Sequence, residues 1–492
     1  MRKPKEKQPR SKDQPNLKQI AKTNFFHQRE LVVVALLLLI PFVWMIYDYA
    51  YFINVESEYA INNSFNPRQA ILAAQTTRGR ILASDLTVLA ETVTDVDGTE
   101  ERVYPFDNLY AHVVGYDSNG MQGIELLANY QLLQSDISLT SKMENELNGD
   151  KNPGNDVVTT LVPELQEIAE DVLGVYDGAV VVLDVDTGQV LAMVSKPDYD
   201  PNEISDIWDD LLQDTTSSVL LNRTTQGLYP PGSVFKMITA IAYLEENNND
   251  IDSYYYTCGG SITVDGERIT CYHGSVHGGE DLYRSFAKSC NTSFANIGIN
   301  LDLTSFNYVL DQMYFNQTMP IQLTSSASSV VVDENSTAAE LLQMSIGQGT
   351  TLVTPIHMAM IAAAIANDGE MMKPYFVESI LSAEGSVVKT YSPTSLGVVM
   401  SEEVSDSMVS LMTEVVETGT ATKLDGLSYT AAGKTGSAEY NSNALDSHAW
   451  FVGFAPAEEP EIAIAIIVEG AGSGGDYAVP MAKRVFDTYF EE

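Results

Sequence analysis

Cysteine is scarce in this 492-residue chain, with Cys258, Cys271 and Cys290 as the full complement. Three cysteines exclude a disulfide scaffold and leave room for one bridge. Cys258 with Cys271 is the pair that Gly259 and Gly260 would allow to close. Two free thiols fit the sequence equally well, and Cys290 is expected to stay unpaired. Basic residues are also few, 27 Lys and Arg against 67 Asp and Glu, a net charge of −40 that would repel a nucleic acid. The cysteines and six histidines show no metal-ligand spacing, so no metal is expected. A glycine-rich nucleotide cradle is missing, and no cofactor is expected. Internal repeats are absent, as is a second apolar run long enough to cross a bilayer.

The charge that is present is unevenly placed. Residues before 31 hold nine basic and three acidic side chains, a net of +6, and the remainder carries a net of −46. Between them lies an uncharged run from Leu31 to Tyr47. A bilayer core takes roughly 17–25 residues, so the run can span it. Tyr47, Tyr49, Tyr51 and Phe52 follow where a cleaved signal would end in small residues, and they suit an interfacial aromatic belt. An uncleaved anchor is expected, with the basic tail (1–30) in the cytoplasm, the span at 31–50 and the rest outside.

The outward part divides at the turn-forming Pro153-Gly154-Asn155, which reads as a connection. Residues 51–155 make a small mixed region and 156–492 a larger α+β domain. Residues 179–195 read as two strands joined by a turn at Asp186–Gly188, after a helical pattern from Glu164 to Tyr176. Near the C-terminus, 448–456 and 461–470 read as strands and 479–490 as a final helix.

Three short motifs carry chemistry. In Tyr229-Pro230-Pro231-Gly232-Ser233-Val234-Phe235-Lys236, the prolines suit a helix entrance and the apolar period of 234–244 continues the helix. Ser233 then sits at a helix N-terminus, where its N–H lacks an intrahelical acceptor and can donate to an oxyanion. Lys236 lies one turn on, on the same face. A serine hydroxyl needs a base to become a nucleophile, and a buried lysine can be neutral enough to serve. The second motif is Ser289-Cys290-Asn291, where Ser289 can relay a proton and Asn291 can hold Lys236 and a substrate amide. The third is Gly433-Lys434-Thr435-Gly436-Ser437-Ala438. Lys434 supplies positive charge for a carboxylate, and the hydroxyls of Thr435 and Ser437 can bond it. Gly436 admits close approach of another backbone, as when a peptide adds to a sheet edge. Singly, each motif also fits a cap, a loop or a turn.

Together, in this order, S-x-x-K, S-x-N and K-T-G resemble the signature of penicillin-binding proteins and related β-lactamases. The surroundings extend the likeness: 76–81 (TTRGRI), 123–125 (GIE), 184–202, 345–355 and 449–456. The chain resembles the class B penicillin-binding proteins, monofunctional D,D-transpeptidases of peptidoglycan synthesis. The resemblance implies a penicillin-binding, serine β-lactamase-like α+β fold, an antiparallel sheet with helices, behind one transmembrane helix and a membrane-proximal pedestal. It implies Ser233 as nucleophile, Lys236 as base, and Ser289, Asn291 and Lys434 as catalytic partners. Thr435, Gly436 and Ser437 would bind peptidoglycan stem peptides and β-lactams. A SEDS-family glycan polymerase is the implied partner.

The chain departs from the family at Leu82–Ala90, where D-R-N-G-x-x-L-A is common, and its pre-catalytic region is short. No appended wall-binding module is expected after the last helix. Glu144-Asn145-Glu146-Leu147-Asn148 mimics a β-lactamase deacylation motif but precedes Ser233, the wrong order. A D,D-carboxypeptidase shares the chemistry and differs only in using water as acceptor. A β-lactam sensor or an inactive scaffold remains as a non-catalytic alternative.

Overall fold

A computed structural model describes residues 17–52, 67–214, 216–439 and 447–490. Most of the basic tail and the start of the pedestal, 53–66, fall outside these. The chain forms two units, 1–66 and 67–492. In the first, one helix runs from Leu17 to Tyr51 with Pro41 inside it. Its segment Leu31–Tyr51 is long and apolar enough to cross a membrane, and its large apolar side chains are exposed.

The second unit is built on two large sheets. A five-stranded antiparallel sheet has the spatial order Ala432–Glu439, Ser447–Ala455, Ile462–Val468, Gly178–Asp184, Val190–Lys196. The two expected hairpin strands are present, and the turn between them has Gly188 at φ +76°. Strand Ile462–Val468 is apolar at every position because both faces are covered. Helix Pro355–Ala366 packs on the sheet, as do Pro163–Leu173 and Ala478–Phe490, which also pack on each other. The first of these is buried along its whole length and apolar apart from His357, with Thr354 accepting from the His357 N–H at its start. Each fully buried Val, Leu or Ile contributes about 1.5–3 kcal/mol, an upper bound given a compact unfolded chain.

The other sheet has six strands, ordered Val387–Thr390, Val377–Leu381, Asp156–Thr159, Ile81–Leu82, Val88–Thr94, Glu100–Val103. It crosses the 155/156 division, since Asp156–Thr159 runs parallel to Ile81–Leu82 and antiparallel to a strand more than 200 residues later. The Pro153-Gly154-Asn155 segment is more than a connection. Asn152–Pro153 pairs with Thr76–Thr77, and Gly154 packs so tightly that a Cβ would lie 2.0 Å from the Leu132 carbonyl oxygen. Under this sheet Glu125 is fully buried between two arginines. Arg78 Nε and Arg102 Nε each donate to it at 2.7 Å. Burial opposes its charge, yet Arg102 and Arg78 hold its carboxyl below the usual range. The family-like strings at 76–81 and 123–125 therefore meet in one ion cluster. At the departure from the family pattern, Ala83 N–H donates to Thr87 O and Leu86 takes φ +71°, which closes a tight turn. Glu144–Asn148 lies in the helix Leu139–Asn148, which buries no residue.

Candidate active site

Tyr229 fixes the entrance to the first motif. It exchanges two backbone bonds with Val353, and its hydroxyl donates to Glu469 at 2.7 Å, which Arg223 also holds. Trp450 Nε1 donates to Pro230 O at 3.1 Å. Gly232 follows at φ +55°, where a Cβ would lie 3.0 Å from Ala438 Cα. Gly232–Phe235 is a tight 3₁₀ turn, and the α-helix Lys236–Glu246 continues from it. Ser233 is half-buried at the second position of that turn. Its N–H has no acceptor within the helix, by position alone.

Ser289 lies between helices Leu282–Ala287 and Asn291–Asn300 at φ +55°, uncommon for a residue other than glycine. Its N–H donates to Phe286 O at 3.0 Å, which holds this conformation. Lys434, Thr435, Gly436 and Ser437 lie on Ala432–Glu439, the outermost strand of its sheet.

The fold brings Lys236, Ser289, Asn291 and Lys434 together. Lys236 Nζ donates to Ser289 O at 2.7 Å and Asn291 Oδ1 at 2.7 Å, and reaches Ser289 Oγ at 3.1 Å. Lys434 Nζ reaches the same Ser289 Oγ at 3.0 Å. The hydroxyl thus bridges two lysines that are both fully buried. Burial pulls Lys236 down to about 8, against the opposing effect of Cys290, Cys271 and Glu280. Burial and then the neighbouring Lys236 push Lys434 well below its ordinary value. Two like charges around one hydroxyl disfavour each other, so a neutral amine is within reach near neutral pH. A neutral Lys236 spends both N–H groups on the two carbonyl oxygens at 2.7 Å. Its lone pair is then left for a hydroxyl proton.

Gly436 admits close approach, but of the chain itself: a Cβ there would lie 2.9 Å from Pro231 O and 3.1 Å from Val234 Cγ1. The glycine seats the Ser233 turn against the strand. Other partners escaped the sequence reading. Thr420 Oγ1 lies 2.5 Å from Thr435 Oγ1, and Gly474 N–H donates to Ser437 Oγ at 3.3 Å. Arg223 and Glu469 had no local signal, being 246 positions apart.

The three cysteines are free and buried. Cys258 and Cys271 do not form the bridge that the sequence allowed, their sulfurs being 3.7 Å apart. Cys290 is not set apart from them, since its sulfur is also 3.7 Å from Cys271. The sequence spacing suggested no metal site, yet His277 joins the three thiols to make a group of possible metal ligands.

Comparison with known proteins bears on this arrangement. Residues 178–487 match the family model described as penicillin binding protein transpeptidase domain, and 78–157 match penicillin binding protein A dimerisation domain. Peptidoglycan D,D-transpeptidase PbpA of Mycolicibacterium smegmatis is 32% identical over 444 residues, covering 84% of this chain and 89% of that protein. The D,D-transpeptidase domain of a peptidoglycan glycosyltransferase from Eggerthella lenta superposes with TM-score 0.77 at 30% identity, over 85% of this chain and 99% of that one. Penicillin-binding protein A from M. tuberculosis, solved as a penicillin G acyl-enzyme complex, gives TM-score 0.75 at 30% identity, over 84% and 99%.

Proposed function

The chain belongs to the penicillin-binding protein transpeptidase family, and on that premise we propose that it is a membrane-anchored peptidoglycan D,D-transpeptidase acylated at Ser233. The observation that carries the reading is the Ser289 hydroxyl shared by two buried lysines, at 3.1 and 3.0 Å. Neutral Lys236 takes the proton of Ser233 as its oxygen attacks the D-alanyl-D-alanine carbonyl. The oxyanion accepts from the N–H groups of Ser233 and Ser437. Ser289, between the lysines, passes the proton to the departing D-alanine amine. Lys434, Thr435 and Ser437 hold the terminal carboxylate, and Asn291 holds Lys236 and a substrate amide. An amine on a second stem peptide then takes the acyl group. The names of the relatives and the penicillin G acyl-enzyme of one of them support this sequence. A β-lactam enters as a substrate mimic and stays bound, as penicillin G does in the acyl-enzyme complex of the M. tuberculosis relative.

The basic tail stays in the cytoplasm, 51–155 forms the pedestal, and 156–492 works outside. With no glycosyltransferase motif of its own, the chain takes its glycan from a SEDS-family polymerase, which cross-linking and co-purification from detergent would recover. The reaction itself is tested by giving the detergent-solubilised protein a stem-peptide donor and an amine acceptor. Cross-linked product is expected; D-alanine release with free acid alone would make it a carboxypeptidase.

A further inference from the structure

The family-like segment that begins at Ser345 packs against the Ser233 turn. Gly347 O accepts from Gly232 N–H at 2.8 Å, and Gly347 takes φ +70°, where a Cβ would lie 2.1 Å from Gly232 O. The next residue, Gln348, is half-buried, with its side-chain amide against the backbone of Glu439. With the amide turned so that donor meets acceptor, its NH2 donates to Glu439 O at 3.2 Å and its oxygen accepts from Glu439 N–H at 3.3 Å. A side-chain amide thus makes the pair of bonds that a residue of a neighbouring strand would make.

Glu439 is the last residue of Ala432–Glu439, the outermost strand of its sheet, and Ser447–Ala455 takes the other edge of that strand. Gln348 therefore sits on the free edge. In an antiparallel sheet, residues that bond outward alternate with residues that bond inward. Since both backbone groups of Glu439 face the free edge, so do those of Ser437, two positions back. Ser437 N–H is the donor assigned to the oxyanion, so the acylated D-alanine stands opposite Ser437. Charge fixes the direction of the added strand. Run antiparallel, the donor turns its terminal carboxylate toward Lys434 and Thr435; run parallel, it would turn it toward the Glu439 carboxylate. The antiparallel course sets the residue before the acylated D-alanine opposite Ala438. The one before that falls opposite Glu439, about 6.8 Å along the strand from Ser437. Gln348 already fills that place.

We propose that Gln348 ends the donor groove, its amide taking the ladder position of the residue two before the acylated D-alanine. Only the acylated D-alanine and the single residue before it are then read as an added strand. The donor class that follows is short: a D-alanyl-D-alanine end with one preceding residue. Whatever lies beyond need not be α-linked peptide, because its backbone finds no free edge. In the enzyme without substrate, the same amide covers the end of an edge strand that would otherwise be open to pairing with another chain. Gln348 touches no reacting atom and acts as a specificity-determining residue. The placement of the donor rests on the transpeptidase reading; the cap on Glu439 does not.

The detergent-solubilised full-length protein is given three donors, and D-alanine release is followed as kcat/KM. The short donor is hexanoyl-D-alanyl-D-alanine. The extended donor carries two α-linked L-residues and an N-acetyl group before D-alanyl-D-alanine. The third is the extended donor with the N–H of its first L-residue methylated. In wild-type protein that methylation should change kcat/KM by less than about twofold, and this arm needs no variant. In Gln348→Ala, with each protein's own short donor as reference, the extended donor should gain about tenfold over its wild-type ratio, the effect of two ordinary hydrogen bonds, and methylation should remove the gain. Hydrogen exchange at the Glu439 amide, read by mass spectrometry without substrate, should be at least about tenfold faster in Gln348→Ala than in wild type. A wild-type enzyme that loses tenfold on methylation reads that residue itself, and overturns the proposal. Glu439 exchange that is unchanged in Gln348→Ala overturns it as well. Protection of Glu439 in a protein that takes no donor and no penicillin would sustain the cap while refuting the transpeptidase reading.

Discussion

The rate of acylation by penicillin should rise with pH and level off near pH 9. Lys236 is fully buried, and burial lowers it from its ordinary value to about 8. In the proposed mechanism the reactive form is the neutral amine. With that pKa, about one tenth of molecules carry neutral Lys236 at pH 7 and about nine tenths at pH 9. The second-order acylation constant should therefore climb about tenfold across that interval and then flatten. An unperturbed lysine, near 10.4, would give close to a hundredfold climb and no plateau below about pH 10. The assay is stopped-flow fluorescence with a labelled penicillin on the detergent-solubilised full chain, with circular dichroism to verify the fold at each pH. Asn291→Asp supplies an internal control. It puts a carboxylate where an acceptor lies 2.7 Å from the ammonium, and the curve should move to higher pH by about one unit or more. A flat profile, or a climb that never levels, would refute Lys236 as the base.

Further expectations follow from other parts of the fold. Ser289→Ala removes the hydroxyl between the lysines and should lower acylation by about 10²–10³ while leaving the melting temperature nearly unchanged; loss below tenfold would count against the proton relay. Glu125→Gln leaves Arg78 and Arg102 as uncompensated buried charges and should destabilise the protein by about 3–5 kcal/mol in denaturant unfolding. The depressed carboxyl sets the sign of the pH effect: its stabilisation is complete above about pH 4.3 and fades as acid lowers the pH through the folded-state value. A change under about 1 kcal/mol would mean that the cluster is not held as described.

Much of the candidate site is legible in sequence because its motifs are local. Ser233 and Lys236 lie one turn apart, and Lys434 to Ser437 are contiguous on one strand. The strands at 178–184, 190–196 and 462–468 are legible for a related reason, since a buried strand must be apolar and a hairpin must turn. What stays hidden depends on distant segments meeting. Thr420 reaches Thr435 from a separate loop, and Glu469 reaches Tyr229 across 240 positions. Gly436 is a point of close approach, but the approaching backbone is the chain's own Pro231 rather than an added peptide. The thiols illustrate the same limit. Their spacings of 13, 6 and 13 positions, His277 included, match no short ligand motif, and the pairing of strands 255–258 and 278–281 places Cys258 beside His277.

The central claim is that Ser233 is the acylated nucleophile, and peptide mapping tests it most directly. Full-length protein is incubated with penicillin, denatured, digested and read by tandem mass spectrometry. The account predicts one covalent adduct per chain, on the peptide containing Ser233, stable through the preparation and absent in Ser233→Ala protein that keeps the wild-type circular dichroism spectrum. An adduct on any other residue, labelling that survives Ser233→Ala, or rapid catalytic turnover of penicillin without an accumulating adduct would contradict it.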